Sequence, residues 1–544
     1  MSSEKMLTNL NTNASTITNT STNYKSLFLY VIDHLDKDGS YDGTPLPDNL
    51  MREYTYGAED AAMFRPKFDD SVMEEARDIY LLLKEWLKNP TQKNKNNLYE
   101  KIYTTPLITV FFALAGQLRG EKLSYDLLHL AQEWFYTAKD REAVKFAYLI
   151  CGLIGLDQVR KSFSEHLYND LFTMARCEEF TIFLCMACQL SNTYPQKELW
   201  FLARHTEGWG KAVILLLLQY RTPAQRRWLL KNGMELRIFW PPLAPLVINE
   251  SELPRMLQEK EIPEDIYLAA ANVIINYLIF LVPNEGPADN PFEKSLMMPV
   301  RVTLEPLLRD FLRHAKTYAT TPKNLLTIFA IKDRLELLAT EKKGIALTAN
   351  AAQLLIGQCD SLIYYKDWEP EIRASLFDNR GNLNSEIVDF AADLDIDIWP
   401  EMIRFYNEQP KDQTALRYLM FAEAGGDEKR IDTRRHMFLD CAEAHLKQYM
   451  EDEDLLINFA NYLKDYPGEG EPLLQACLTS IYEHAIGMAA LSVSAWPREK
   501  VTVTLKKAVI QAMKLNHNPF IDLVLKSIID ESIPAPTDFE FEDM

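Results

Sequence analysis

The sequence predicts an all-α protein, an α-solenoid of stacked helical hairpins, with residues 283–291 as the candidate joint between two helical halves. Three observations carry that reading. Apolar residues recur at i, i+3/4 and i+7 in window after window, the spacing that aligns side chains on one helical face. Short turns marked by Pro, Gly or Asn separate the windows. Glycine is scarce, 19 in 544 residues against about 7% in average proteins, while hydrophobic residues reach 47%.

Taken in order, residues 1–24 are rich in Asn, Thr and Ser and read as a disordered tail. Asp36-Lys-Asp38-Gly39-Ser-Tyr-Asp42 resembles a calcium loop at first sight. An EF-hand needs glycine at position six and glutamate at twelve, whereas Gly39 is fourth and Pro47 twelfth, so this is a turn. Val72, Ala76, Ile79, Tyr80, Leu83, Trp86 and Leu87 form a helical stripe, opened by Ser71 and Glu74 as a capping box. Leu107 to Phe112 fits strand or helix. Val144, Ala147, Tyr148, Cys151 and Ile154 form a second stripe, followed at once by Val159, Phe163, Leu167 and Leu171.

Thr222-Pro223, Thr321-Pro322 and Asn518-Pro519 each place a capping side chain before a proline at the first helical position. Ile266 to Val282 is apolar, but Asn272 and Asn276 interrupt it and Pro283 ends it; a helix buried on all sides within the solenoid is expected, not a membrane span. Pro283, Pro287, Pro291 and Gly286 make residues 283–291 a linker or long loop. It separates an N-terminal helical-repeat region (25–282) from a C-terminal one (292–530). Tyr148-Leu149 precedes Gly155 and Asp157 at the offsets by which Tyr418-Leu419 precedes Gly425 and Asp427, a faint internal repeat. Val501, Leu505, Ala508, Val509, Ala512 and Met513 outweigh the strand-like alternation of Lys500 to Leu505. Residues 531–544 form an acidic tail carrying Phe539 and Phe541.

The candidate chemistry dissolves on inspection. Cys185 and Cys188, with Cys177 upstream, lack the second ligand pair that zinc requires and sit mid-helix among Phe180, Ile182, Phe183 and Leu184. Asp126, His129 and Glu133 share one helical face, as do His436, Asp440 and Glu443. Neither set has the second Glu-x-x-His element of a di-iron bundle, so both read as solvated faces. No phosphate-binding, dinucleotide, HExxH or GxSxG motif occurs. Catalytic, cofactor-binding and metal residues are therefore expected to be none, with no cofactor.

A net charge of −20, spread over both halves, argues against nucleic acid as a partner and for a protein partner with a basic surface. Seven cysteines, an odd number, and the lack of a basic-then-apolar N-terminus predict a reducing, cytoplasmic setting.

His205-Thr-Glu-Gly-Trp209-Gly, followed by Arg226-Arg-Trp228-Leu-Leu-Lys-Asn232-Gly233, is the most distinctive block. Gly233 is expected as a left-handed helix cap, with Trp209 and Trp228 locking adjacent helices. The block, with Ile398-Trp399-Pro400 and Ala495-Trp496-Pro497, resembles a family of uncharacterised bacterial helical-repeat proteins similar to HEAT or armadillo solenoids. Some members carry the label limonene hydroxylase, which implies a haem, flavin or iron centre; this sequence offers no ligand set for one. The expected function is a non-catalytic scaffold or adaptor for protein–protein interaction. The alternative is an enzyme with a pocket between helices, either such a hydroxylase or a solenoid-type DNA glycosylase.

Overall fold

The computed structural model describes residues 26–48, 57, 60, 69–119, 124–281, 301, 303–340, 347–421, 428–515, 518–530 and 532–533. The fold is all-helical, and two isolated antiparallel bridges are the only β pairing among the described residues. The chain packs as two units, one of residues 1–318 and 327–362, the other of residues 319–326 and 363–544. The expected joint at 283–291 lies outside the described residues, as do the tails 1–24 and 534–544 and the Gly425–Asp427 half of the faint repeat.

In the first unit the helices include α1 (Leu27–Asp33), α2 (Asp70–Lys88), α3 (Gln92–Tyr103), α4 (Leu107–Leu118), α5 (Tyr125–Thr137), α6 (Arg141–Ile154), α7 (Glu165–Met174), α8 (Glu178–Ser191), α9 (Gln196–His205), α10 (Gly208–Leu217), α11 (Pro223–Asn232), α12 (Glu264–Leu281) and α13 (Leu304–Tyr318), with shorter segments between them; most of two later helices, Pro322–Thr340 and Ala349–Ile363, belongs to it as well. Alternate helices pack on one another, α4 on α6, α6 on α8 and α8 on α10, and further along consecutive ones do, α11 on α12 and α12 on α13. The approach of α6 to α8 is close enough to require Gly152, where a Cβ would stand 2.7 Å from the Ala187 Cα.

The periodic stripes land on the core. Val72, Ala76, Ile79, Leu83 and Trp86 of α2 are buried, while Leu87 is exposed. The helix begins earlier than the sequence suggests: Asp69 is the N-cap, accepting from the Val72 N–H and from the Ser71 hydroxyl. A carboxylate outcompetes a hydroxyl at a helix N-terminus because it also meets the helix dipole. Residues 107–118 are helical, as are 503–512. The run from Val159 to Leu171 breaks at Ser164, which caps α7 after a π-turn at Val159–Phe163. Thr222 and Asn518 cap as expected, and Thr321 accepts from the Asn324 N–H.

Helix α12 is long and apolar enough to cross a membrane. It is not buried on all sides, as the sequence suggests: one face, with Ile266, Tyr267, Ala270, Ile274 and Leu278, is buried against α11 and α13, while the other carries exposed Asp265, Leu268 and Asn272, so one helix face is enough to hold it in place.

The second unit contains α14 (Glu369–Ser375), α15 (Ser385–Asp393), α16 (Trp399–Glu408), α17 (Glu428–Ala444), α18 (Glu453–Leu463), α19 (Glu471–Leu478), α20 (Glu483–Ala495), α21 (Val503–Ala512) and α22 (Pro519–Ile529). Here α18 packs on α20 and α20 on α22, while α19 packs on α21. Ser492 of α20 and Trp496, the residue just after it, donate to the carbonyls of Ala460 and Leu463 at 2.7 and 2.9 Å, satisfying buried polar groups across that contact.

Both units contain the same small hairpin. Leu35 pairs with Tyr41 around Gly39, and Phe377 pairs with Leu383 around Gly381. In each, one aspartate (Asp36 or Asp378) accepts from two backbone N–H groups of the loop, and the glycine adopts a φ above +80°. The Asp36 segment is a turn, as expected, and Asp378-Asn-Arg-Gly381 is its unforeseen twin.

Candidate functional site

The densest polar chemistry lies at the N-termini of α4, α6, α8 and α10, inside the first unit. A helix start leaves four backbone N–H groups without intrahelical partners. In α4, α8 and α10 the residue at the cap position (Pro106, Cys177 and Glu207) makes no side-chain cap bond. For α4 and α10, neighbouring helices supply the missing acceptor. Glu142 of α6 accepts from the Leu107 N–H at 2.6 Å. Glu178 of α8 accepts from the Glu207 N–H at 2.7 Å and from Gly210 at 3.4 Å.

That arrangement explains the Gly-Trp-Gly motif. Gly208 has φ +57°, and a Cβ there would sit 2.6 Å from Glu178 Oε2; a Cβ on Gly210 would meet Thr181 Oγ1 at 2.8 Å. The two glycines clear the space through which the carboxylate reaches the helix start.

Lys145 forms the centre of the site. Its ammonium, on a side chain only 2% exposed, lies 2.9 Å from Asp60, 3.0 Å from Glu142 and 2.8 Å from Glu179. Arg141 adds a second cation, 3.0 Å from both Glu179 and Asp48. Burial opposes the charge on Lys145, but the three carboxylates outweigh it and hold the group protonated, well above the usual lysine range. Burial likewise opposes the charge on Glu179, and Lys145 with Arg141 hold it below the usual range. Asp60 shifts upward because burial exceeds the pull of Lys145. Burial also raises Glu178 to about 7, against the lowering effect of its two backbone donors. A lysine so firmly protonated is no nucleophile or base. The cluster fastens successive helix starts.

The sequence-nominated residues stand elsewhere. Cys185 and Cys188 are buried in the middle of α8 and Cys177 at its cap; burial raises all three thiols, which removes thiolate character. Glu133 pairs with Lys95, and His129 packs edge-on against Phe163. His436 lies beside Asp432 and Glu469, not Asp440 and Glu443. Those two carboxylates already bind Arg435, which bonds Glu469 through two nitrogens at 2.9 Å and also contacts Asp432. A cation there would have to displace a guanidinium.

One correction concerns the distinctive block. Gly233 is right-handed, with φ −66°. Its lack of a side chain matters for closeness instead, since a Cβ would come 2.8 Å from Val247 Cγ2. Trp228 of α11 packs edge-on against Trp200 of α9 at 5.2 Å, joining neighbouring helices as expected, and Trp209 packs on Trp240 at 5.3 Å.

Sequence reasoning missed Lys145, Glu142, Glu178 and Glu179. Their one visible signal was charged residues in the first turns of otherwise apolar helices. No family model, curated protein or solved structure matches this chain.

Proposed function

We propose that this protein is a non-catalytic scaffold of HEAT or armadillo type, an α-solenoid that holds a protein partner with a basic surface in the cytoplasm. One observation carries the reading: in both units, several bonds between neighbouring elements span 32 to 38 residues. Tyr136 to Asp170 spans 34 residues, Arg141 to Glu179 38, Arg435 to Glu469 34, Ser492 to Ala460 32 and Asn518 to Glu483 35. Helical-pair repeats have periods of roughly 33–47 residues, and these spans lie at the short end of that range. Alternate-helix packing in both units supports the same arrangement. Repeats of this kind present long surfaces without needing catalytic groups, and −20 of net charge favours a basic partner.

The test is affinity capture on the immobilised full chain at ~0.1 M salt, with elution at ~1 M, where exposed charge pairs are screened. A basic-surfaced protein released by salt is the expected result. Recovery of none, or a stoichiometric metal or chromophore in the purified chain, would count against the scaffold.

A further inference from the structure

Helix α21 carries a stripe that the fold leaves unused. Leu505, Ala508, Val509 and Ala512 face the core. On the opposite side, Val503, Lys507, Ile510 and Lys514 follow i, i+4, i+7 and i+11, with Lys506 beside them. Val503 is 71% and Ile510 47% exposed. Lys506, Lys507 and Lys514 have no partner among the described residues. Beside this stripe runs a groove of about 420 Å³, floored by Leu446, Met450, Pro472, Ala476 and Ala508, with Lys507 at its edge. On a chain of net charge −20, a lysine row alternating with exposed aliphatic side chains calls for an acidic and apolar ligand.

We propose that the chain's own residues 538–544 dock here, covering the groove in cis. Asp538-Phe-Glu-Phe-Glu-Asp-Met544 has the matching composition: four acidic residues interleaved with two phenylalanines. In an extended chain, Phe539 and Phe541 share one side and Glu540 and Glu542 the other, so rings can enter the groove while carboxylates meet lysines. The reach suffices. Asp530, just after α22, lies within the field of Arg498, close before the start of α21. From Ile533, eight residues to Phe541 span up to ~27 Å, against ~15 Å for the ten residues of α21. The proposal is independent of the scaffold reading.

The experiment measures binding of a fluorescent peptide of residues 531–544 to the full chain and to the chain ending at residue 533, by anisotropy. The shortened chain is expected to bind the peptide, and the full chain at least tenfold more weakly, because a tethered competitor acts at about millimolar effective concentration. Lys507→Glu with Lys514→Glu in the shortened chain should cost at least tenfold, with an unchanged circular-dichroism spectrum. No binding to the shortened chain, equal binding by the full chain, or indifference to the lysine changes would each overturn the proposal. So would a full chain that dimerises through its tail in light scattering, which would place a second copy's tail in the groove.

Discussion

Replacing Lys145 by methionine removes the cation from three carboxylates while keeping most of the side chain's length and packing. Asp60, Glu142 and Glu179 lie 2.8 to 3.0 Å from the ammonium, and the lysine side chain is 2% exposed. Arg141 still serves Glu179, so Asp60 and Glu142 lose most. Removing one partner of a buried ion pair costs about 3–5 kcal/mol, because the remaining charge is stranded away from water. Lys145→Met is therefore expected to destabilise the first unit by about 3–5 kcal/mol at pH 8. The loss should shrink on acidification. Without its cation, a buried carboxyl has a raised folded pKa, so its protonated form is the favoured one and stability falls as pH rises through that pKa. Between pH 8 and pH 5 the gap to the unmodified protein should close by at least ~1.4 kcal/mol, the equivalent of one pH unit for one proton. Urea unfolding followed by circular dichroism at both pH values reads this directly. A loss under ~1 kcal/mol at pH 8, or a gap indifferent to pH, would refute the view that Lys145 holds these helix starts together.

Glu178 is the neutral-range titrating group: its folded pKa of about 7 exceeds the ordinary 4.5, so its stabilising contribution is complete below about 4.5 and is lost as pH rises through 7. Relative to Glu178→Gln, which cannot ionise, the unmodified protein should lose about 3 kcal/mol of unfolding free energy between pH 4.5 and 8.5, and parallel curves would show that Glu178 does not titrate in this way. Gly152→Ala forces a methyl against Ala187, 2.7 Å from its Cα, and should cost about 1–3 kcal/mol in thermal or urea unfolding; an unchanged midpoint would mean α6 and α8 can part without loss. Tyr267 is fully buried and its hydroxyl has no hydrogen-bond partner among the described residues, so Tyr267→Phe should stabilise the protein by about 1 kcal/mol, and a destabilised variant would reveal a partner for that hydroxyl.

Helical periodicity was legible because it is local. The stripes through Val72, Tyr148 and Val509 are buried as their spacing implies, and Thr222-Pro223 opens a helix with its capping box. Ambiguity arose where two local acceptors competed, as at Asp69 and Ser71. Gly233 was misread because its role is a close approach to Val247, fourteen residues along the chain, and not a dihedral. The tryptophan partners and the Lys145 cluster were invisible for a similar reason. Glu142 caps α4 from 35 residues away, and Lys145 meets Asp60 across 85 residues. Nothing in a helical window announces that its first turn will serve another helix.

Because Glu178 supplies acceptors for the start of α10, and Glu142 for the start of α4, neither helix owns its own beginning. Opening α8 exposes the first amides of α10 at the same moment as it strands Lys145. Amide exchange in α8 and α10 should then proceed as a single event with one rate-limiting opening, so that this row comes apart in blocks larger than a helix.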